Sequence, residues 1–551
     1  MEPQSAPETA GAKPLYRHPV FYLVVLAILF VSLVVVLIFP NQKTDLQSAE
    51  YETGLPKDQV VVQLESAPTG RYPLVTFDTS NINIYLDVFE GLTVFRNNTL
   101  QPGLATSWTN PDELTWQINL RKEVKFQSGD TFTAKDVKYT IEQAKASSGD
   151  TEWVSKPMAS RVDSVKVIDD YTVELKTKEP DATLLSWIVY VGIVSETQVT
   201  KDGLAKAVGT GPYKLVSVGG DPSEAVLEAY SSYWGGTPQV KKLVYRHVSD
   251  EDQIKTELEQ GKLDLAFSRI TGNESLVSKG FQVSNFRGGI HFLLLDTESD
   301  QSKYVEAGKN PFKDPKVRKA VLLALSVADI ISAGKLSAEP VSQFATQELV
   351  GFNTSLVRSD KNVGEAKKLL TEAGFPDGFT VTLDVSEGST EGVRNELQKQ
   401  LAEIGVTVKI NPLGTKPPSE GGPPPFFAKL LSGDFALMLA SYSPDTIDSL
   451  DFIDTLFHTP SGGHGGANPT GYSNSGLDKI LDEATSTFNV QKRIELTREA
   501  HALIVQDLPS IPLYTTTLQV VGRGDIAFKA TIGNLLLGAD ISGRQKIDTS
   551  K

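Results

Sequence analysis

The chain has 551 residues and a formal net charge of -15, with 40% hydrophobic and 22% charged residues. This balance is typical of a folded protein, the length favours more than one domain, and the acidic surface argues against nucleic acid or an anionic membrane surface as the main partner. The sequence has no cysteine, which excludes disulfides, thiolate metal sites, a cysteine nucleophile and the acylated cysteine of a bacterial lipoprotein.

An apolar run near the N-terminus predicts a membrane anchor. Residues 20–39 read VFYLVVLAILFVSLVVVLIF, about the length that crosses a bilayer, and Ser32 is the polar interruption. A cleaved signal peptide has a shorter apolar core, of about 7 to 15 residues, before a small-residue cleavage site. Ser48 and Ala49 leave cleavage open, but the length of the run favours an uncleaved, single-pass anchor.

The charges around this run predict its orientation. Lys13 and Arg17 precede it, whereas Lys43 alone follows it closely. Because positive charge is retained on the cytoplasmic side, we expect a cytoplasmic N-terminus and an extracytoplasmic main domain at the cell membrane. Residues 1–19 are predicted to be a disordered cytoplasmic tail, and residues 40–58 a polar linker.

A strand, a turn and a helix are predicted in the stretch 89–146. The segment LTWQINL alternates apolar and polar residues, and the helix TAKDVKYTIEQAKA follows the turn QSGDT. Thr133 is placed to cap this helix, with Asp136 three residues later as in a capping box. The side chains expected to be buried are Leu114, Trp116, Ile118 and Leu120 of the strand and Val137, Ile141 and Ala144 of the helix.

Further along the chain, turn and cap signals separate helices from strands. VGTGPYKLVSV begins with Gly209 and Gly211, whose conformational freedom indicates a tight structural turn. This segment lacks the Lys-Ser/Thr ending of a phosphate-binding loop. In the second half, Asn362 caps a helix that Gly374 ends, and helix and strand patterns continue to alternate. Such alternation predicts α/β lobes built on mixed sheets.

Several short sequence motifs, separated along the chain, occur in a characteristic order. EGL, PGLATSW, LRKEVKF and SGDTFTAKDVKY occur in this order, followed by VGTGPY, YWGGTP, NPFKDPKVRKA and a closing GYSNSGLDKILDEA with PSIPLY. Over residues 60–522 this pattern resembles the extracytoplasmic solute-binding proteins that serve peptide-type ABC importers, and matching many words at similar spacing is more specific than one short motif.

The resemblance implies an architecture. We expect a two-lobed, periplasmic-binding-protein-like α/β fold with mixed sheets, preceded by one transmembrane helix. The first lobe would comprise residues 59–290, with an extra supporting subdomain at about 89–206. Residues 291–508 would form the second lobe, and residues 509–551 would return to the first lobe and end in a tail.

The resemblance also implies a ligand site. Relatives carry a gW..D..DP..f word where this chain reads SYSPDTIDSLDF, and their first acid faces the α-amino group of a bound peptide. The match places Asp445 in that role and Asp448 in the second acid position. Tyr442 departs from the family pattern, and its side chain would supply an apolar wall with a polar tip. Asp78 matches the acid of the opening tLDP word and is a weaker candidate.

Chemistry supports an acid in this position, although a structural explanation stays open. An ammonium group withdrawn from water needs an opposite charge, and a carboxylate in a closing cleft supplies a charge-assisted bond. Alternatively, Asp445 simply caps a turn after Pro444.

No catalytic motif is predicted, and we expect neither an enzyme nor a cofactor. GYSNSG at 471–476 carries Ser475 where the nucleophile elbow requires glycine. His458 and His464 bracket a glycine-rich loop without a third ligand at metal-site spacing, so they are interpreted as solvated loop residues and no metal site is predicted.

The resulting hypothesis is a membrane-anchored, monomeric solute-binding protein. It would capture a short peptide between its lobes and deliver it to the permease subunits of an ABC transporter. An anchored peptide receptor, or a chaperone-like interaction protein without a transport role, remains the alternative. A hydrolase would be supported only by turnover of a peptide or an ester.

Overall fold

The computed structural model describes residues 58–70, 79–96, 99–148, 153–220, 223–268, 274–306, 308–415, 423–444, 446–461, 464–529 and 536–542. The predicted tail and anchor, and the linker up to residue 57, lie outside these ranges. Within the ranges, no helix has both the length and the apolar character that spanning a membrane requires.

The strands alternate with helices along most of the chain. The strands are β1 Gln59–Leu64, β2 Thr93–Arg96, β3 Thr99–Pro102, β4 Ala105–Asp112, β5 Thr115–Leu120, β6 Ser164–Asp169, β7 Thr172–Lys176, β8 Tyr213–Gly219, β9 Glu224–Ala229, β10 Lys242–His247, β11 Leu265–Ser268, β12 Phe281–Leu295, β13 Ala338–Pro340, β14 Phe379–Ser386, β15 Val406–Leu413, β16 Leu437–Tyr442, β17 Ser510–Arg523, β18 Ala527–Phe528 and β19 Ile541–Ser542.

The helices lie between these strands in the order of the chain. They are α1 Thr79–Val88, α2 Ala134–Ala146, α3 Lys156–Ala159, α4 Leu184–Trp187, α5 Glu196–Asp202, α6 Glu251–Glu259, α7 Glu274–Val277, α8 Pro315–Ala324, α9 Val327–Gly334, α10 Val363–Glu372, α11 Glu391–Ala402, α12 Pro425–Ser432, α13 Ser449–Phe457, α14 Ser475–Ser486 and α15 Val490–Asp507.

One mixed sheet runs through the described part of the chain. Its 11 strands follow the order β15-β14-β16-β12-β17-β11-β1-β10-β9-β8, with β13 paired to β17. Strand β1 is parallel to β10 and β11, and β14 is parallel to β15 and β16, whereas the other pairs are antiparallel. The predicted mixed α/β architecture is therefore confirmed.

Two long antiparallel strands, β12 and β17, connect the two halves of this sheet. The N-terminal part of β12 pairs with the end of β17 that also pairs with β11, and the C-terminal part of β12 pairs with β16. The register shifts between Arg287 and Ile290. Strand β12 begins at Phe281, ten residues before the predicted lobe boundary at residue 291, because its first half belongs to the other half of the sheet.

Two groups of hydrophobic cores lie on either side of these strands and define the two lobes. The first lobe is built around cores that contain residues from β1 to β11 and also Val520, Ile526 and Ile541 near the end of the chain. The second lobe is built around cores that contain residues from the second half of β12 to Tyr514. Residues from both ends of the described chain thus pack in the first lobe.

A separate four-stranded sheet, β4-β5-β7-β6, packs with α2 within the range predicted for the supporting subdomain. The predicted capping box of Thr133 and Asp136 is present. Trp116, Ile118 and Leu120 are buried as predicted, together with the apolar face of α2. Leu114 is 39% exposed, because it precedes β5 in a turn where its N–H donates to Asp112 Oδ1 at 2.9 Å.

The glycines of VGTGPY are required by close packing. A Cβ atom at Gly209 would lie 2.1 Å from the carbonyl oxygen of Val88, and one at Gly211 would lie 2.4 Å from that of Asp87. Neither glycine has a positive φ. The predicted structural role is therefore correct, but its cause is the approach of this segment to the end of α1.

Candidate ligand site between the lobes

The sequence word expected to bind ligand forms the turn between β16 and α13. Tyr442 is the last residue of β16, and Asp448 is the N-cap of α13. Residues 445 and 78 lie outside the described ranges, so the predicted roles of Asp445 and Asp78 remain predictions.

Tyr442 lies where the second lobe meets the crossing strands. It is paired in register with Ile290, immediately after the register shift in β12. Its ring stacks on that of Phe452 in α13, with centroids 4.3 Å apart and planes inclined by 9°. The Tyr442 ring is partly exposed and the Phe452 ring beneath it is buried. Tyr442 therefore presents an aromatic surface that is suited to packing against an apolar part of a ligand.

Asp448 is held by contacts within its own lobe. Its Oδ1 accepts the N–H of Leu450 at 3.1 Å, and its Oδ2 accepts Arg493 Nε at 3.2 Å. The residue is only 5% exposed. Burial raises the pKa of this carboxyl group, while the Arg493 guanidinium opposes the shift. The structure thus gives Asp448 a clear role in ordering the turn, and its predicted contact with ligand stays a prediction.

Asp451, in the first turn of α13, joins the second lobe to the first. Its Oδ1 accepts the indole N–H of Trp187 at 3.0 Å, and its Oδ2 accepts the hydroxyl of Thr446 at 2.5 Å. Burial, together with the charge of Asp448, raises the pKa of Asp451 to about 7, although the Arg161 cation lowers it. The protonation state of this interlobe contact is therefore sensitive to pH near neutrality.

Further contacts surround the bond between Trp187 and Asp451. Arg161 donates to Asp181 Oδ2 at 2.9 Å and to Thr183 Oγ1 at 2.9 Å, and its guanidinium lies 5.3 Å from the Trp187 ring centroid. The N–H of Ala182 donates to the carbonyl oxygen of Thr485 at 2.8 Å. The rings of Trp116 and Phe488 are 5.5 Å apart. The supporting subdomain therefore touches the second lobe through both polar and aromatic contacts.

A cavity of about 420 Å³ opens beside these contacts. Arg161, Asp181 and Trp187 line it from the first lobe, and Asp451, Asp454 and His464 line it from the second. Its size is within the usual range for small-molecule sites, of about 300–1,000 Å³. Both lobes contribute ionisable side chains, so the cavity is suited to a polar or charged solute.

The histidines near α13 differ from the sequence-based interpretation. The His458 side chain is only 3% exposed and that of His464 is 18% exposed, so neither is a freely solvated loop residue. Asp454, one helical turn before His458, supplies the third potential ligand that linear spacing did not indicate. Asp454 lies in the last turn of α13, and His458 is the C-cap of that helix.

A buried serine and histidine pair does not constitute a nucleophilic site. Ser449 Oγ lies 3.0 Å from His501 Nε2 and donates to the carbonyl oxygen of Val350 at 2.8 Å. Both residues are fully buried, and burial lowers the pKa of His501 to about 3. A substrate has no access to this hydroxyl, and the histidine is a weak base at neutral pH.

Sequence reasoning found the turn but missed its partner residues. Trp187 and Asp451 are 264 positions apart, and Asp181 and Arg161 belong to a segment without a functional motif. Asp451 could have been noted because it lies within the recognised word. Nothing local to Trp187 indicates that it contacts the second lobe, or that Arg161 lies beside it.

A pair of long strands connects the two lobes, and aromatic and ionisable side chains lie at their junction. These features define a solute-binding protein of the periplasmic type. The profile of the bacterial extracellular solute-binding proteins, family 5, middle region, matches residues 99–464. This match covers more than half of the chain, which therefore belongs to that family. The family consists of binding proteins, so the prediction that the chain is not an enzyme is confirmed.

Individual relatives agree with this assignment. The chain is 25% identical over 473 residues to the glutathione-binding protein GsiB of Salmonella paratyphi A, covering 83% of this chain and 89% of the relative. The periplasmic binding protein DppA from Helicobacter pylori in complex with peptide STSA has a similar fold, with a TM-score of 0.70, 23% identity and coverage of 88% and 98%. NikZ from Campylobacter jejuni in complex with Ni(L-His) has a TM-score of 0.69, 20% identity and coverage of 89% and 100%.

Proposed function

We propose that this protein captures a short peptide between its two lobes and delivers it to an ABC import permease. The main support for the proposal is the hydrogen bond between Trp187 and Asp451. It joins the first lobe to α13, the helix in which the predicted ligand-binding motif ends. A ligand seated beside this turn would be enclosed when the lobes approach each other. The peptide and glutathione ligands named for similar proteins support a peptide-like solute.

The side chains of the turn suit the ends of a peptide. Asp445 would oppose the α-amino group, because an ammonium group that leaves water requires a compensating charge. The Tyr442 ring, supported by its stacking on the buried Phe452, would pack against an adjacent side chain of the peptide. Asp448 would act by capping α13 and ordering the turn, and Asp78 would contribute from the first lobe.

Native mass spectrometry of the purified chain tests the ligand class. Recovery of short peptides supports the proposal, whereas recovery of only sugars or metal chelates contradicts it. Asp445→Asn should weaken peptide binding by about tenfold or more, because it removes the charge that opposes the amine. Asp434→Asn is a matched control, since Asp434 pairs with Lys303 at 3.0 Å outside the turn. Equal affinities for both variants would refute the amine-binding role of Asp445.

Transport by an ABC permease distinguishes this proposal from a receptor or chaperone-like protein that kept the fold. Membranes that contain the cognate permease should hydrolyse ATP faster when the loaded binding protein is added, and cells lacking the chain should lose uptake of the same peptide. Normal uptake in such cells, together with retained peptide binding, would favour the receptor alternative.

Anchoring and domain organisation are part of the same proposal. Residues 20–39 would hold a monomer at the cell membrane with its two lobes on the extracytoplasmic side. The first lobe would comprise residues 59–290 and part of 509–551, and the second lobe residues 291–508. Removing residues 1–39 should release the protein from the membrane fraction, and retention of the shortened chain would refute the anchor.

A further inference from the structure

A cluster of imidazole and carboxylate groups lies at the C-terminal end of α13. Asp454, His458 and His464 each offer one ligand atom, and these three atoms lie within 4.8 Å of one another. Asp482 of α14 adds an oxygen that is 3.1 Å from His458 Nε2 and 3.8 Å from His464 Nε2. Four side chains from two helices and one loop thus converge.

The loop after α13 folds back to bring the histidines together. The N–H of His464 donates to the carbonyl oxygen of Ser461 at 2.8 Å, and an antiparallel bridge joins the same two residues. The rings of His458 and His464 are then stacked, with centroids 4.6 Å apart and planes inclined by 27°. The arrangement is specific, because it requires the helix and the returning loop to have a defined geometry.

Hydrogen bonding assigns a proton to the Nδ1 atom of each histidine. His458 Nδ1 lies 2.5 Å from the carbonyl oxygen of Thr459, which can only accept, so this nitrogen donates. His464 Nδ1 lies 2.8 Å from Asp454 Oδ1 and donates to it likewise. Each ring therefore directs its Nε2 atom towards the carboxylate of Asp482.

With the protons on Nδ1, the Nε2 lone pairs of the two histidines converge on Asp482 Oδ1, at 3.1 Å for His458 and 3.8 Å for His464. A single divalent cation placed between these three atoms would accept both lone pairs and be balanced by the carboxylate.

We propose that His458, His464 and Asp482 form a binding site for a divalent transition-metal ion of the zinc type, and that Asp454 orients the His464 ring by accepting its Nδ1–H. Imidazole nitrogen and carboxylate oxygen are the donors that such ions accept, at about 2.0–2.2 Å. Ligand atoms of a tetrahedral site at that distance are about 3.4 Å apart. The Nε2 atoms of His458 and His464 lie 3.1 and 3.8 Å from Asp482 Oδ1, which is close to this separation. Oxygen-preferring Mg²⁺ and Ca²⁺ do not suit a pair of imidazoles.

Hydrogen bonds around the cluster hold its side chains in place, as in a preorganised metal site. The carbonyl group that orients His458 belongs to Thr459, whose N–H and hydroxyl donate to Asp478 at 3.0 and 2.8 Å. Such outer contacts fix the ring orientation and tautomer of a ligating histidine. Asp454 and His464 also line the interlobe cavity, which provides an entry path for the ion.

The experiment measures Zn²⁺ binding by the full-length chain, purified in detergent without a polyhistidine tag and stripped with chelator. Isothermal titration should detect one high-affinity Zn²⁺ per chain, and Co²⁺ should produce the visible absorption of a nitrogen and oxygen site. His464→Gln should weaken Zn²⁺ binding by about 100-fold, and Asp482→Asn by about 10-fold. Asp482 is 57% exposed, so its substitution leaves the core intact.

His247→Gln is the matched control, because it removes a histidine from β10 in the first lobe. The proposal is supported when this variant binds Zn²⁺ as the unmodified chain does while the two cluster variants bind more weakly. It is overturned when the unmodified chain binds no Zn²⁺, or when the cluster variants and the control bind it equally. A thermal unfolding scan of each variant shows that weaker binding does not result from unfolding.

Discussion

The contact between Trp187 and Asp451 provides the sharpest test of how the lobes are held together. Trp187→Phe removes the N–H that donates to Asp451 Oδ1 at 3.0 Å and retains most of the aromatic packing. A hydrogen bond to a charged group contributes about 1.5–3 kcal/mol, and the lower value applies because both side chains are half-buried. The closed arrangement should therefore lose about 1.5 kcal/mol relative to the open one, about a tenfold change in their ratio.

Single-molecule fluorescence can measure this ratio. The chain has no cysteine, so Lys166→Cys in the supporting subdomain and Lys367→Cys in the second lobe provide unique labelling sites. The measurement is made at pH 8, where Asp451 is ionised because its pKa is about 7. At pH 6 the carboxyl group is mostly neutral, and the effect of the substitution should be smaller.

Trp234→Phe is the control for this experiment. Trp234 donates its indole N–H to Glu90 Oε2 at 2.8 Å within the first lobe, so its loss removes a similar bond that does not cross between the lobes. We expect this variant to lower the stability of the first lobe without changing the ratio of closed to open molecules. An unchanged ratio in Trp187→Phe, or an equal change in both variants, would refute the reasoning.

Three further substitutions test the fold. Asp87 is fully buried and burial raises its pKa to about 7 from 3.8, so its stabilising contribution is complete below about pH 4 and is lost as the pH rises through 7. Between about pH 4 and pH 7 this effect lowers the unfolding free energy of the wild-type protein by up to about 4 kcal/mol. Asp87→Asn should abolish this pH dependence, which urea unfolding at several pH values measures. Gly209→Ala should destabilise by about 3 kcal/mol, because its Cβ would lie 2.1 Å from a carbonyl oxygen. Thr133→Ala should lower thermal stability by about 1 kcal/mol through loss of the α2 cap.

Each of these predictions has its own control. A wild-type unfolding free energy that stays constant between pH 5 and 8 would contradict the assignment for Asp87. Gly466→Ala should be nearly neutral, since no atom lies within 4 Å of its Cβ position, and a loss equal to that of Gly209→Ala would show that contact is not the cause. Thr133→Ser retains a hydroxyl cap and should restore most of the stability lost in Thr133→Ala.

Signals that lie within a few residues of each other identified much of the secondary structure. The capping box of α2 and the cap at Asn362 were predictable because a cap requires only a side chain and the N–H groups that follow it. The buried alternation of β5 was predictable for the same local reason. Leu114 was misassigned because the pattern does not show where a turn ends and the pairing of a strand begins.

The sequence by itself thus determined the alternation of helices and strands, the family and the turn in which Tyr442 and Asp448 lie. Only the tertiary structure decided which distant side chains meet that turn. Trp187 reaches Asp451 because the chain passes through both lobes between them, and hydrophobic periodicity contains no information about such pairings. His458 and His464 show the same limit, since burial and a returning loop turn two separated loop histidines into a cluster with Asp454.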